Sequence, residues 1–165
     1  MKFSPILFIS ALCGSALADT IQLPNLPDGN YLISLGEDGK AAWTELPAGN
    51  VTDAPAPVIS KRGSTSLLQN DFYNHGWDAF YATCAAGGNK KYPKNTVVAN
   101  YQGTSVSYMC AYTTNPCRPE EWHDAVDWAA SNCHGRSNGW MEPGFLDVPA
   151  WNKRYGYAKA GSSIC

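Results

Sequence analysis

The placement of the cysteines constrains this chain more than any other feature. Of six, Cys13 lies in an apolar leader, and Cys84, Cys110, Cys117, Cys133 and Cys165 all lie beyond residue 80. A disulfide-stabilised unit must therefore be built from the carboxy-terminal part of the chain. Five is an odd number, which leaves one thiol unpaired or open to an intermolecular disulfide. One pairing is excluded by geometry. Cys117 and Cys133 bracket a predicted helix, which separates them by roughly 24 Å, whereas a bridge needs Cα atoms within about 7 Å.

The leader explains why Cys13 is set aside. Lys2 precedes the apolar run Ile6 to Cys13, and Ala16-Leu17-Ala18 follows, the order of charged, apolar and small-residue zones that a signal peptidase cuts. Cleavage is expected after Ala18, with residues 1–18 as signal peptide and a secreted, extracellular product. The run is short of the ~20 apolar residues that span a bilayer, and no other stretch is longer, so no membrane span is expected.

Residues 19–62 have a different character. Gly29 to Leu35 and Lys40 to Leu46 flank Gly36-Glu37-Asp38-Gly39 and read as two short strands around a turn. A lone hairpin is marginal in water, and its strands are expected to cover an edge of the downstream sheet until cleavage, keeping that domain soluble or inactive. A Pro-rich linker follows, carrying a glycosylation sequon at Asn50 and ending in Lys61-Arg62. A dibasic pair at the end of an accessible linker is a processing site, so 19–62 reads as a propeptide and 63–165 as the mature, cysteine-containing domain. A second pair, Lys153-Arg154, lies within that domain.

The mature part has eight basic and eight acidic residues. That balance supplies no positive field for nucleic acid, and no nucleic acid is expected as a partner. Tyr73, Trp77, Phe80, Tyr81 and Cys84 recur at helical spacing, and Gly87-Gly88 can end that helix. After Pro119-Glu120-Glu121, the residues Trp122, Ala125, Val126, Ala129 and Cys133 form a second stripe. Asn95–Tyr101 and Ser105–Tyr112 flank Gln102-Gly103-Thr104 as a hairpin, with Val106, Tyr108, Cys110 and Tyr112 on one face. A Gly/Pro-rich loop follows the second helix, and a returning strand closes the chain at Cys165. The predicted class is α+β: a small disulfide-stabilised domain with two helices packed on a three- to four-stranded antiparallel sheet.

Little in the sequence points to catalysis. His75, His123 and His134 have no spacing that presets a metal site, so neither metal nor cofactor is expected. Glu120, His123, Asp124 and Asp127 line one side of the second helix and read as a solvated face with acids near its positive end. Cys133-His134 are sequence neighbours, which rarely face each other usefully. Glu120 with His134-Gly135-Arg136 would permit a small secreted hydrolase such as a ribonuclease, against the neutral charge balance. Trp77 and Trp122 fall on core stripes, whereas Trp128, Trp140, Trp151 and Tyr155 are candidates for a binding surface or an aromatic carbohydrate-binding module.

The ordered set of leader, short acidic prosegment and Lys61-Arg62 resembles the organisation of fungal secreted proteins cut by a kexin-type protease. The domain behind it has Ser107 to Tyr112, Asn115-Pro116-Cys117, a helix ending in Cys133 and a closing Gly161–Cys165 segment. That domain is similar to the small secreted cysteine-containing proteins of filamentous fungi, many of them candidate effectors. More distantly, residues 95–165 resemble killer-toxin-like α/β sandwiches, with fewer cysteines and no second cluster after the helix. The resemblance implies a binding protein acting outside the cell, or on a host or competitor cell, without catalysis. Its partner would be an extracellular or host protein or a cell-wall glycan.

Overall fold

The computed structural model describes residues 21–36, 40–47, 67–132, 136–137 and 139–165. The leader with Ala18, the sequon at Asn50, Lys61-Arg62, and Cys133 with His134 lie outside the described residues. In chain order the first elements are β1 (Ile21–Gln22), β2 (Gly29–Leu35), β3 (Ala41–Leu46), β4 (Leu67–Leu68), α1 (Gln69–Asp71), a π-helical turn at Phe72–Gly76 and α2 (Trp77–Gly87). Next come β5 (Lys91–Tyr92), β6 (Thr96–Gln102), β7 (Ser105–Ala111), β8 (Asn115–Pro116) and α3 (Pro119–Asn132). The chain closes with β9 (Arg136–Ser137), β10 (Trp140–Met141), β11 (Gly144–Val148), a 3-10 turn at Pro149–Trp151, β12 (Lys153–Lys159) and β13 (Ser163–Ile164).

The β-branched and aromatic runs on either side of Gly103 pair as the expected hairpin, with Val98 opposite Met109 and Tyr101 opposite Val106. Gly103 takes the left-handed conformation at φ +56°, and a Cβ there would meet the Asp71 carboxylate at 2.6 Å, so the turn requires glycine. β12 adds to β7 on one side and β11 adds to β12, while β2 adds to β6 on the other side and β3 to β2. The result is a six-stranded antiparallel sheet, β11-β12-β7-β6-β2-β3, wider than the three to four strands expected.

Two segments account for the difference. The hairpin of residues 29–46 covers an edge of the downstream sheet, as expected, and adds two strands to it. Gly144–Val148, read as loop, is a strand. It was obscured by Gly144, where a Cβ would lie 2.5 Å from the Tyr157 hydroxyl, so glycine there marks a close approach rather than a turn.

Both faces of the sheet are covered, so its central strands β6, β7 and β12 are buried at every residue but Gln102. Val98, Met109, Ala111, Tyr155 and Tyr157 face the helices, where Phe72, Phe80, Trp122, Val126 and Ala129 complete one core. Val97, Ala99, Tyr101, Val106, Tyr108, Cys110 and Ala158 face the other way and meet Ile21, Leu23, Ile164 and Cys165. The first and last described strands close this second core together, because β1 pairs with β13 and the Leu23 N–H donates to the Ser162 carbonyl at 2.9 Å.

The second helix follows its predicted stripe, with Trp122, Ala125, Val126 and Ala129 all buried. The first does not. The π-helical turn inserts one extra residue, recorded by the Trp77 N–H bond to the Phe72 carbonyl, and this rotates the buried face. Phe72, Ala79, Phe80 and Cys84 are buried, Tyr73 and Trp77 are half-buried, and Tyr81 is 40 % exposed. The turn sits where Gly76 presses on β7, with the Ser107 hydroxyl donating to the Gly76 carbonyl at 3.2 Å.

Two disulfides join these layers: Cys84 to Cys117, and Cys110 to Cys165. The first ties α2 to the residues leading into α3, and the second clamps the last residue of the chain onto the middle of the sheet. Replacing Cys165 by Ser is expected to lower unfolding stability by about 2 to 4 kcal/mol, since it frees the end that covers the second core. Denaturant unfolding of the oxidised parent and the variant measures this, and equal midpoints would contradict it.

Candidate functional site

Lys153 opens β12 on the same side of the strand as Tyr155 and Tyr157, so its stem points into an aromatic core. It is 2 % exposed, and a lysine so placed needs an acid. Glu121, in the first turn of α3, supplies it: the ammonium forms an ion pair with Glu121 Oε2 and donates to the Pro116 carbonyl at 3.2 Å. The Tyr155 hydroxyl donates to the same carboxylate at 2.8 Å and accepts the Arg118 backbone N–H at 3.0 Å. Burial first, and then the adjacent Glu121, push the Tyr155 phenol well above its ordinary range.

Trp151 lies over this cluster. Its ring centroid is 5.1 Å from the Lys153 ammonium, its outer side is open at 49 % exposure, and its carbonyl accepts the Asn115 side-chain amide at 2.7 Å. A large aromatic surface is therefore presented on a rigid support, with exposed Thr113 and Asn152 beside it. The same end of the sheet carries Arg118 and the exposed Lys91, which is paired in register with Pro116. Lys90 and Lys94 flank that strand, and Glu120 is the exposed acid on the adjoining turn of α3.

Of the four aromatics proposed for a surface, Trp151 is exposed, Trp128 is half-buried against the helix-side core, and Tyr155 is fully buried. Tyr155 therefore belongs to the core: its parity along β12 points it at Trp122, with ring centroids 6.4 Å apart. The backbone of Trp140 pairs in β10. Trp43, on the edge strand β3, is 52 % exposed. Lys153-Arg154 is not a processing site. Both residues are buried in a strand paired on both sides, and Arg154 makes a two-point contact with Asp147 at 2.7 and 2.8 Å. His123 and Asp127 meet at 3.3 Å on an exposed helix face, as a solvated pair would.

At the opposite end of the sheet, Asp28 accepts the Gly103 N–H at 2.9 Å, and Asp71 accepts both the N–H and the hydroxyl of Thr104 at 2.7 Å. Burial raises the Asp28 carboxyl, the bond from Gly103 opposes this, Asp71 adds to the rise, and His75 opposes it. A carboxyl raised in the folded state stabilises the fold fully below its unfolded value of about 3.9, and that contribution is lost as pH rises through the folded value. The melting temperature of Asp28→Asn should therefore fall less than that of the parent between pH 4 and pH 6. Parallel curves for the two proteins would refute the assignment.

The Lys153–Glu121–Tyr155 cluster was missed in the sequence, although the alternation Lys153, Tyr155, Tyr157 carried its signal. Among the described residues no group of three or more His, Cys, Asp or Glu is placed to hold a metal ion, and no helix is long and apolar enough to cross a membrane. No protein-family model, curated protein or solved structure matches the chain.

Proposed function

We propose that this chain is the precursor of a secreted, disulfide-stabilised binding protein that acts without catalysis on a host or competitor cell, in the manner of a fungal effector or toxin. The observation carrying the reading is Trp151, an exposed aromatic whose ring lies over the buried Lys153–Glu121 ion pair, with the exposed Lys91 paired opposite Pro116, whose carbonyl Lys153 bonds. Such a platform suits an acidic patch on a surface protein or an acidic glycan, the aromatic supplying contact area and the lysines steering the approach. Glu121, Lys153 and Tyr155 have an acid–base composition, but they are bonded to one another beneath the platform. The two disulfides are compatible with an extracellular destination.

The test is binding of the purified, oxidised protein to intact target cells and to an acidic polysaccharide, with insoluble chitin and glucan as neutral comparisons. Trp151→Ala is expected to weaken binding at least ~30-fold, the scale of an interfacial aromatic anchor, with melting unchanged within about 2 °C. Binding by the parent should also fall as salt rises. Undiminished binding by Trp151→Ala would remove the platform from the account. RNA cleavage by the parent, lost on Glu120→Gln, would favour the hydrolase instead.

A further inference from the structure

The cysteine-bearing region and residues 21–46 are joined through a linker that ends in a dibasic pair, yet they share one sheet and one core. We propose that residues 21–46 are a noncovalently held subunit: the outer side of β6 and the sheet face away from the helices form a peptide-binding surface, and this segment stays on it as a separate chain once the linker is cut.

Four observations support this. The first is strand addition: β2 lies antiparallel on β6 from Gly29 opposite Tyr101 to Ser34 opposite Thr96, and a main-chain ladder of that length does not depend on a covalent link. The second is side-chain burial. Ile33 is fully buried, Ile21, Leu23 and Tyr31 are 6 % exposed or less, and Tyr31 meets Tyr101 edge-on with centroids 5.5 Å apart.

The third is a buried polar join. Asn30 Oδ1 accepts the Asn100 side-chain amide at 2.7 Å and lies 2.6 Å from the Thr83 hydroxyl, so loss of the segment strips a partner from two buried groups. Further bonds run from the Tyr101 hydroxyl to the Pro24 carbonyl at 3.1 Å and from the Gly103 N–H to Asp28. The fourth concerns what departure would uncover: the unpaired edge of β6, with Val97, Val98 and Ala99 along it, is an aggregation template. No cysteine lies between residues 14 and 83, so retention after a cut would rest on these contacts alone.

The proposal takes its biological occasion from the reading that the precursor is cut at Lys61-Arg62, but its test does not need that cut. The full secreted chain is prepared with a specific-protease site placed within residues 51–58, cleaved, and passed through a sizing column without denaturant. Co-elution of both fragments at the mass of the uncut chain, separating only under denaturing conditions, is expected. Asn30→Ala should speed exchange with added synthetic peptide 21–46 at least ~10-fold. Separation of the two fragments in native buffer, whether the larger one stays soluble or precipitates, would overturn the proposal. Neither outcome involves the target, so failure here is distinguishable from failure of the Trp151 platform.

Discussion

A chain beginning at Gly63 is expected to fail as a soluble, folded monomer, even with both disulfides available to form. It lacks Ile21, Leu23, Tyr31 and Ile33, which are buried in the second core. At about 1.5 to 3 kcal/mol for each large apolar side chain, their loss is about 6 to 12 kcal/mol, comparable to the 5 to 15 kcal/mol that separates a typical folded domain from its unfolded state. The loss also unpairs β6, turning a central strand into an exposed edge. Expression of 63–165 beside 19–165, read by near-ultraviolet circular dichroism and sizing, measures the effect. A monomeric fragment with native aromatic signals would show that the carboxy-terminal part folds alone.

Removing the carboxylate of Glu121 is expected to be the most damaging single change on the helix side. Glu121→Ala leaves the Lys153 ammonium, 2 % exposed, without its acid, and also strips the acceptor from the Tyr155 hydroxyl. A buried pair broken on one side typically loses about 3 to 5 kcal/mol, whereas replacing both members by apolar residues is often neutral. Lys153→Met combined with Glu121→Leu should therefore recover much of the loss. The single and double variants compared by denaturant unfolding provide the test. A single variant as stable as the parent would mean that Lys153 reaches water by another route.

The parts of the fold legible in the sequence were those set by local pattern. The Trp122 stripe, the hairpin around Gly103 and the exclusion of a Cys117–Cys133 bridge all followed from periodicity or rise. What escaped was decided between distant segments. The π-helical turn at Phe72–Gly76 lies packed against β7, a contact that residues 72–76 themselves do not announce. The hairpin of residues 29–46 and its place along a sheet edge were legible too, because a marginal hairpin needs a partner; that the edge is β6 was not written in its own residues. Gly144 suggested loop, whereas it accommodates the hydroxyl of Tyr157 on the neighbouring strand. In the candidate site, Trp151 was legible as an aromatic beside a turn. Its support by Lys153 and Glu121 required β12 and α3 to be brought together.

The central claim is that residues 21–46 and the cysteine-bearing region fold as one cooperative unit. Native-state hydrogen exchange on the oxidised full-length protein tests it most directly. Amides of residues 29–35 should show protection comparable to those of residues 96–102, both opening only with global unfolding. Rapid exchange across 29–35 alongside firm protection of β6 and β7 would show that the hairpin is an appendage, and would contradict the account.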